Sequence, residues 1–161
     1  MIDKAGARQY VKVMRQQIRR FFGPLILVLA LVLLPGAAAG AAGLPGANAG
    51  RGGETLDLQS LRVQGKTTII EFFSPFCPPC LRLAPLLAEL AQKRSDLAVK
   101  KVNINRPGVT GIDWQSPLAQ QYKLRSVPNF VIFSPNGKGT KGQAAIKQVM
   151  DWLEEAGLLK K

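Results

Sequence analysis

Cys77 and Cys80 are the only cysteines among 161 residues, and they are set three positions apart where a strand gives way to a helix. Thr67-Thr68-Ile69-Ile70-Glu71-Phe72-Phe73 is β-branched and aromatic, which predicts a buried central strand. Ser74-Pro75 predicts a turn. Leu81, Leu83, Leu86, Leu87, Leu90 and Ala91 then recur at helical spacing, so a helix is expected to about Arg94, kinked where Pro85 lies inside it. A helix N-terminus carries unpaired N–H groups and the positive end of the macrodipole, and so favours a thiolate over a thiol. Cys77, the more N-terminal and on this reading the more exposed, is the nucleophile. Cys80, about one turn further in, attacks the mixed disulfide that Cys77 forms and frees the partner.

Other uses of the pair fit less well. A structural zinc needs four ligands, and the chain offers two cysteines and no histidine. Covalent haem attachment needs a histidine after the second cysteine, where Leu81 stands. A purely structural disulfide across two residues would constrain the unfolded chain very little. A C-x-x-C between strand and helix is a redox motif in that context. No cofactor and no metal are expected.

From Thr67 to about Leu158 the chain resembles the thioredoxin family. The resemblance rests on Glu71-Phe72-Phe73-Ser74-Pro75-Phe76-Cys77-Pro78-Pro79-Cys80, the strand Val99 to Asn105, the segment Leu124 to Phe133 with Val127-Pro128 inside it, and the turn Pro135-Asn136-Gly137. It implies an α/β fold with a central mixed sheet of four to five strands flanked by helices, and thiol–disulfide exchange with protein clients. It assigns Glu71, six positions before Cys77, the task of moving a proton for Cys80, with Lys101 nearby to moderate its pKa. The same likeness makes Val127-Pro128 a cis peptide beside the cysteines and leaves the Val127 backbone free to bind an extended client, with Phe76 as an apolar rim. The Pro78-Pro79 dipeptide resembles membrane-tethered or periplasmic reductases that serve cytochrome maturation. Two departures lean the same way: Phe76 stands where the family usually has tryptophan, and no histidine lies between the cysteines. Proline there also removes backbone donors to Cys77.

The first twenty residues hold Lys4, Arg8, Lys12, Arg15, Arg19 and Arg20 against Asp3 alone, and the unbroken apolar run Leu25 to Leu34 follows. A basic start and a short apolar stretch predict an export signal. Ten residues as a helix reach only about 15 Å, half of a bilayer core of about 30 Å. Pro35-Gly36 interrupts the run, and Ala37-Ala38-Ala39 and Ala47-Asn48-Ala49 both suit a signal peptidase. No charge appears between Arg20 and Arg51, so residues 21–44 are a membrane anchor if uncleaved. Either outcome puts the domain outside the cytoplasm, periplasmic or on the outer face of the membrane. The divisions expected are a signal or anchor over 1–35, a Gly/Ala-rich linker over 36–53 and the thioredoxin-like domain over 54–161.

Within that domain, Glu54 to Leu58 alternates and predicts an edge strand, Leu97 to Asn105 a strand, 106–116 a loop, Pro117 to Tyr122 a short helix, Asn129 to Ser134 a strand, Lys138 to Gly142 a weak strand and Ala144 to Ala156 a closing helix. Trp114 in the loop either packs over the domain edge or touches a partner. Of the net charge of +12, +5 lies in the first twenty residues, and the +7 left to the domain is scattered rather than clustered, which argues against nucleic acid and for acidic partners or anionic lipid. The whole reads as an exported monomeric thiol–disulfide oxidoreductase, more a reductase than an oxidase or isomerase, fed by a membrane or soluble electron-donor protein. The rival class is a module that binds partners and keeps its disulfide inert.

Overall fold

A computed structural model of the chain describes residues 44–159. The export or anchor segment expected over residues 1–35 lies outside them. Among the described residues no helix is long and apolar enough to cross a membrane.

Four strands, β1 (Thr67–Phe73), β2 (Leu97–Asn103), β3 (Asn129–Phe133) and β4 (Gly139–Lys141), form one sheet in the order β2-β1-β3-β4. β1 and β2 are parallel, from Thr67 opposite Leu97 to Phe73 opposite Asn103. α1 (Pro78–Lys93) makes the crossover between them, the long connection that a parallel pair requires. β3 returns antiparallel to β1, and β4 pairs antiparallel to β3 across the tight turn at Pro135-Asn136-Gly137, where Gly137 takes φ 89°. α2 (Pro117–Gln121) starts on Ser116, whose hydroxyl accepts from the Ala119 N–H, and α3 (Gln143–Glu155) closes the chain.

The alternation of side chains along each strand divides the core in two. Ile69, Val99, Phe130 and Ile132 meet Leu83, Leu87 and Leu90 of α1 and Ala145, Val149 and Leu153 of α3. On the other face Ile70, Phe72, Val102 and Phe133 meet Leu58, Ile104 and Leu118. Glu71 is two positions from Ile69, and Lys101 two from Val99, so both share the face that α1 and α3 cover. That parity is what puts a carboxylate and an ammonium inside the molecule.

The edge strand expected over Glu54 to Leu58 is not there. Leu58–Leu61 is instead a 3-10 turn capped by Asp57. The cause lies some sixty residues away: the Gln121 side chain accepts from the Leu56 N–H at 3.0 Å, and the Tyr122 hydroxyl donates to the Leu56 carbonyl at 2.6 Å. The Leu58 N–H also donates to the Tyr122 hydroxyl, so these groups of Leu56 and Leu58 are not left for a neighbouring strand. β2 also ends two residues earlier than the expected Asn105, because β1 stops at Phe73 and has only its last carbonyl to offer the Ile104 N–H, 2.9 Å away.

Residues 46–53, from the Gly/Ala-rich stretch, run along the open edge of β2. Gly46 bridges to Lys101, and the Ala47 N–H donates to the Lys101 carbonyl. Asn48 is buried, and its amide acts as a surrogate peptide group: Oδ1 accepts from the Asn103 N–H at 2.9 Å and Nδ2 donates to the Asn103 carbonyl at 2.8 Å. Gly52 lies so close to Asn105 that a Cβ there would collide with its carbonyl oxygen. Replacing Asn48 by alanine removes both bonds and leaves the Asn103 N–H without its partner, which costs about 2 kcal/mol. A shift of the urea midpoint corresponding to less than a quarter of that would show the strap to be incidental.

Candidate active site

Ser74 sets the geometry that brings β1 into α1. It is buried; its carbonyl accepts from the Cys77 N–H at 3.1 Å, and its hydroxyl accepts from the Phe76 N–H at 3.1 Å. The resulting turn delivers Cys77 as the N-cap of α1. Pro78 and Pro79 occupy the first helical positions, where proline is tolerated because the N–H would be unpaired in any case. Of the first four helical residues two therefore have no N–H. The third, Cys80, donates to Cys77 Sγ at 3.2 Å, and the fourth, Leu81, to the Cys77 carbonyl at 3.1 Å.

Cys77 and Cys80 form a disulfide, with their Cα atoms 5.3 Å apart. In this oxidised form both sulfurs are covered: Cys77 retains 1% of its accessible surface and Cys80 none. One wall is the segment before β3. The Val127-Pro128 peptide is cis, and the Val127 carbonyl oxygen lies 3.5 Å from Cys77 Sγ. Once the pair is reduced, a thiol at Cys77 has that carbonyl as an acceptor. Phe76, 45% exposed, and Leu81, 55% exposed, stand on either side of the sulfurs. The sequence places Leu81 on the buried stripe of α1, but that stripe follows Cys80, Leu83, Leu87 and Leu90, and Leu81 is turned about 100° from Cys80.

Beneath this surface Glu71 is fully buried and sits opposite Lys101 on β2 and Phe130 on β3. Its Oε2 is 3.9 Å from Lys101 Nζ, and neither carboxylate oxygen has a hydrogen-bond partner. Lys101 Nζ also lies 4.3 Å from the centre of the Phe73 ring. Burial pushes the Glu71 pKa up to about 7, and the Lys101 charge pulls it back only in part. A carboxyl group with that pKa gives and takes a proton at neutral pH, as a general base or acid must.

Sequence reasoning missed what shapes the loop beside the cysteines. Arg106 donates from its backbone N–H, Nε and Nη2 to the Asp113 carboxylate at 3.2, 2.7 and 3.0 Å. The guanidinium thereby holds the Asp113 pKa below its usual range. Asn105, also buried, donates from its side chain to the Gly111 carbonyl. An Asn and an Asp eight apart in a loop are the only signal in the sequence, and it does not reveal which partners they take. Trp114 packs against the core of the lower face. Two clefts involve these loops. One of about 320 Å3 runs from Phe76 to Pro107 and Val109, and one of about 330 Å3 lies between Trp114, Lys123, Leu124 and Arg125. Neither encloses a sulfur. The reactive surface is an open ledge, which suits a polypeptide better than a small molecule, whose sites are concave. Among the described residues no group of side chains could hold a metal ion.

A family model described as Thioredoxin matches residues 58–155. A thioredoxin-like protein of Fusarium culmorum is 34% identical over 95 residues, 56% of this chain and 72% of its own length. The H-type thioredoxin of Brassica oleracea is 31% identical over 103 residues, 64% of this chain and 74% of its own. The crystal structure of thioredoxin f from spinach chloroplast aligns at 24% identity and a TM-score of 0.41, over 58% of this chain and 72% of that one.

The raised pKa of Glu71 sets a pH dependence. Its folded pKa, about 7, lies above the ordinary 4.5, so its contribution to stability is complete below about pH 4.5 and is lost as pH rises through about 7. Glu71→Gln does not ionise. Its unfolding free energy should gain on the wild type by up to about 3 kcal/mol between pH 4.5 and 8, since each tenfold change in proton affinity is worth about 1.4 kcal/mol. A difference that stays constant over that range in urea titrations would mean that Glu71 ionises as it does in water.

Proposed function

From the premise that the chain belongs to the thioredoxin family and is a thiol–disulfide oxidoreductase acting on protein thiols and disulfides, we propose that it works outside the cytoplasm as a reductase of protein disulfides. In the reduced state the Cys77 thiolate attacks one sulfur of a client disulfide. A mixed disulfide forms, and the other client sulfur leaves as a thiolate that takes a proton from water. Glu71 accepts the Cys80 proton, and the Cys80 thiolate attacks Cys77, expelling the second client sulfur and closing the Cys77–Cys80 disulfide. Two electrons have then passed from the pair to the client, and a dithiol donor protein must return them. Lys101 limits how far the Glu71 pKa rises. Phe76, Val127 and Pro128 form the ledge that holds the client during the exchange.

The observation that carries the reductase direction is the proline pair. Pro78 and Pro79 leave the Cys80 N–H as the one helix-end donor on Cys77 Sγ. A thiolate with fewer donors is less stabilised, the reduced form gains less, and the disulfide is correspondingly harder to reduce. The extracytoplasmic setting is supported by the basic residues before Phe21, the apolar run Leu25 to Leu34 and the lack of any cysteine outside the pair. Pro78-Pro79 also suits service to cytochrome maturation.

Cys77→Ser should abolish insulin reduction, and Cys80→Ser should accumulate clients as mixed disulfides on Cys77. Retention of turnover by Cys77→Ser would remove the mechanism. Equilibration with glutathione should give a potential well below the value of about −180 mV typical of protein disulfide isomerase; a potential at or above it would make the protein an oxidase or isomerase. In intact cells a membrane-impermeant thiol reagent should label Cys77 after mild reduction, and protection until lysis would place the domain inside.

A further inference from the structure

Charge on this domain is sorted by end. β1 and β2 run parallel toward the cysteines, whereas α1 and α3 run away from them, and Lys93 at the end of α1 donates to the Ala156 carbonyl at the end of α3. Glu89, Asp96, Asp151, Glu154 and Glu155 therefore gather at the end remote from the disulfide. At the disulfide end three carboxylates each have a cation: Glu71 is buried against Lys101, Asp113 is held by Arg106, and Glu54, next to the Gly53 that bonds Asn103, lies 3.9 Å from Arg51. Three cations stand there exposed, and among the described residues none of them pairs with a carboxylate. Arg82 is two positions after Cys80, Arg125 is two before Val127, and Lys123 is two before that.

Lys123 is also the one non-glycine residue with positive φ, 51°, among the described residues. It is the left-handed residue that closes a helix: the Leu124 N–H donates to the Ala119 carbonyl at 2.9 Å and the Lys123 N–H to the Gln120 carbonyl at 3.1 Å. It ends α2 so that Lys123 and Arg125 flank Leu124 on the rim of the cleft of about 330 Å3, with Trp114 as its wall. The cleft thus offers an apolar wall and two unpaired cations. Its last lining residue, Arg125, is two positions before Val127, whose carbonyl oxygen lies 3.5 Å from Cys77 Sγ.

Building on the proposed exchange with protein disulfides, we propose that this cleft selects clients with an acidic residue, next to an apolar one, a few positions from the disulfide cysteine. The client carboxylate lies between Lys123 and Arg125, and the apolar neighbour packs on Trp114 and Leu124. Arg82 adds to the field that draws such a segment to the sulfurs. An anionic surface of lipid would satisfy the cations but not the cleft, since a flat headgroup layer does not reach an aromatic wall. The proposal commits to protein.

The test is the rate at which the reduced full chain exchanges with three disulfide-linked peptides of one sequence, flanked by Glu, Gln or Lys. Exchange should be about tenfold faster with the Glu peptide than with the Gln peptide at low ionic strength, slowest with Lys, and nearly level in 0.5 M salt, because exposed charges are screened there. In Lys123→Glu/Arg125→Glu the order of the Glu and Lys peptides should reverse. Trp114→Ala should reduce the gain from an apolar neighbour while keeping the preference for Glu. If the Gln peptide exchanges with the wild type but the Glu-to-Gln ratio is near one, the cleft proposal falls and the oxidoreductase reading stands. The same ratio combined with slowing by phosphatidylglycerol vesicles would assign the cations to lipid, against the proposal. If no peptide exchanges at all, both readings fall.

Discussion

Two prolines fix how much help the helix end can give a sulfur anion. In most helices four N–H groups stand unpaired at the N-terminus. Here Pro78 and Pro79 remove two of them, and the Cys77 N–H is taken by the Ser74 carbonyl. One donor remains for Cys77 Sγ, and it belongs to the residue that carries the second sulfur. Nucleophile, resolving residue and donor are thus packed into a single helical turn, and any movement of the first turn changes all three together. The Ser74 turn, the α1 packing through Leu83 and Leu87, and the Val127 carbonyl all serve to hold that turn in place.

The second constraint is electrostatic and lies one layer down. Strand parity directs Glu71 and Lys101 to the side that α1 covers, where water that would solvate a carboxylate is excluded. An ammonium 3.9 Å away, itself spread over the Phe73 ring, offsets part of that cost without making a hydrogen bond to it. The result is a carboxyl group that changes charge near neutrality instead of near pH 4. A closer ion pair would fix it as an anion and end its use as a proton carrier.

Much of this was legible in the residues. β1 and α1 announce themselves through residue type and period, and Val127-Pro128 could be placed beside the cysteines by family resemblance, since composition does not predict a cis bond. The hidden parts depend on long-range pairing. Glu54 to Leu58 has the alternation of a strand, yet Gln121 and Tyr122 take backbone groups of Leu56 and Leu58. Arg106 and Asp113 both read as loop residues, and only the folded chain shows that they close the loop on itself. Leu81 has the chemistry of a core residue but lies off the stripe that α1 buries. The burial of Glu71, by contrast, follows from its neighbours on the strand.

The Asn48 amide stands in for a missing strand along β2. The two alanine-rich motifs ahead of the domain are therefore not equivalent as places to shorten the chain. Cutting after Ala39 keeps residues 46–53 on the sheet, whereas cutting after Ala49 would strip Ala47 and Asn48 away and bare the edge at Lys101 and Asn103. A bare edge is a template for the strands of other molecules. A chain shortened past Asn48 would thus offer that edge to its own copies, whereas one that keeps residues 46–53 covers it.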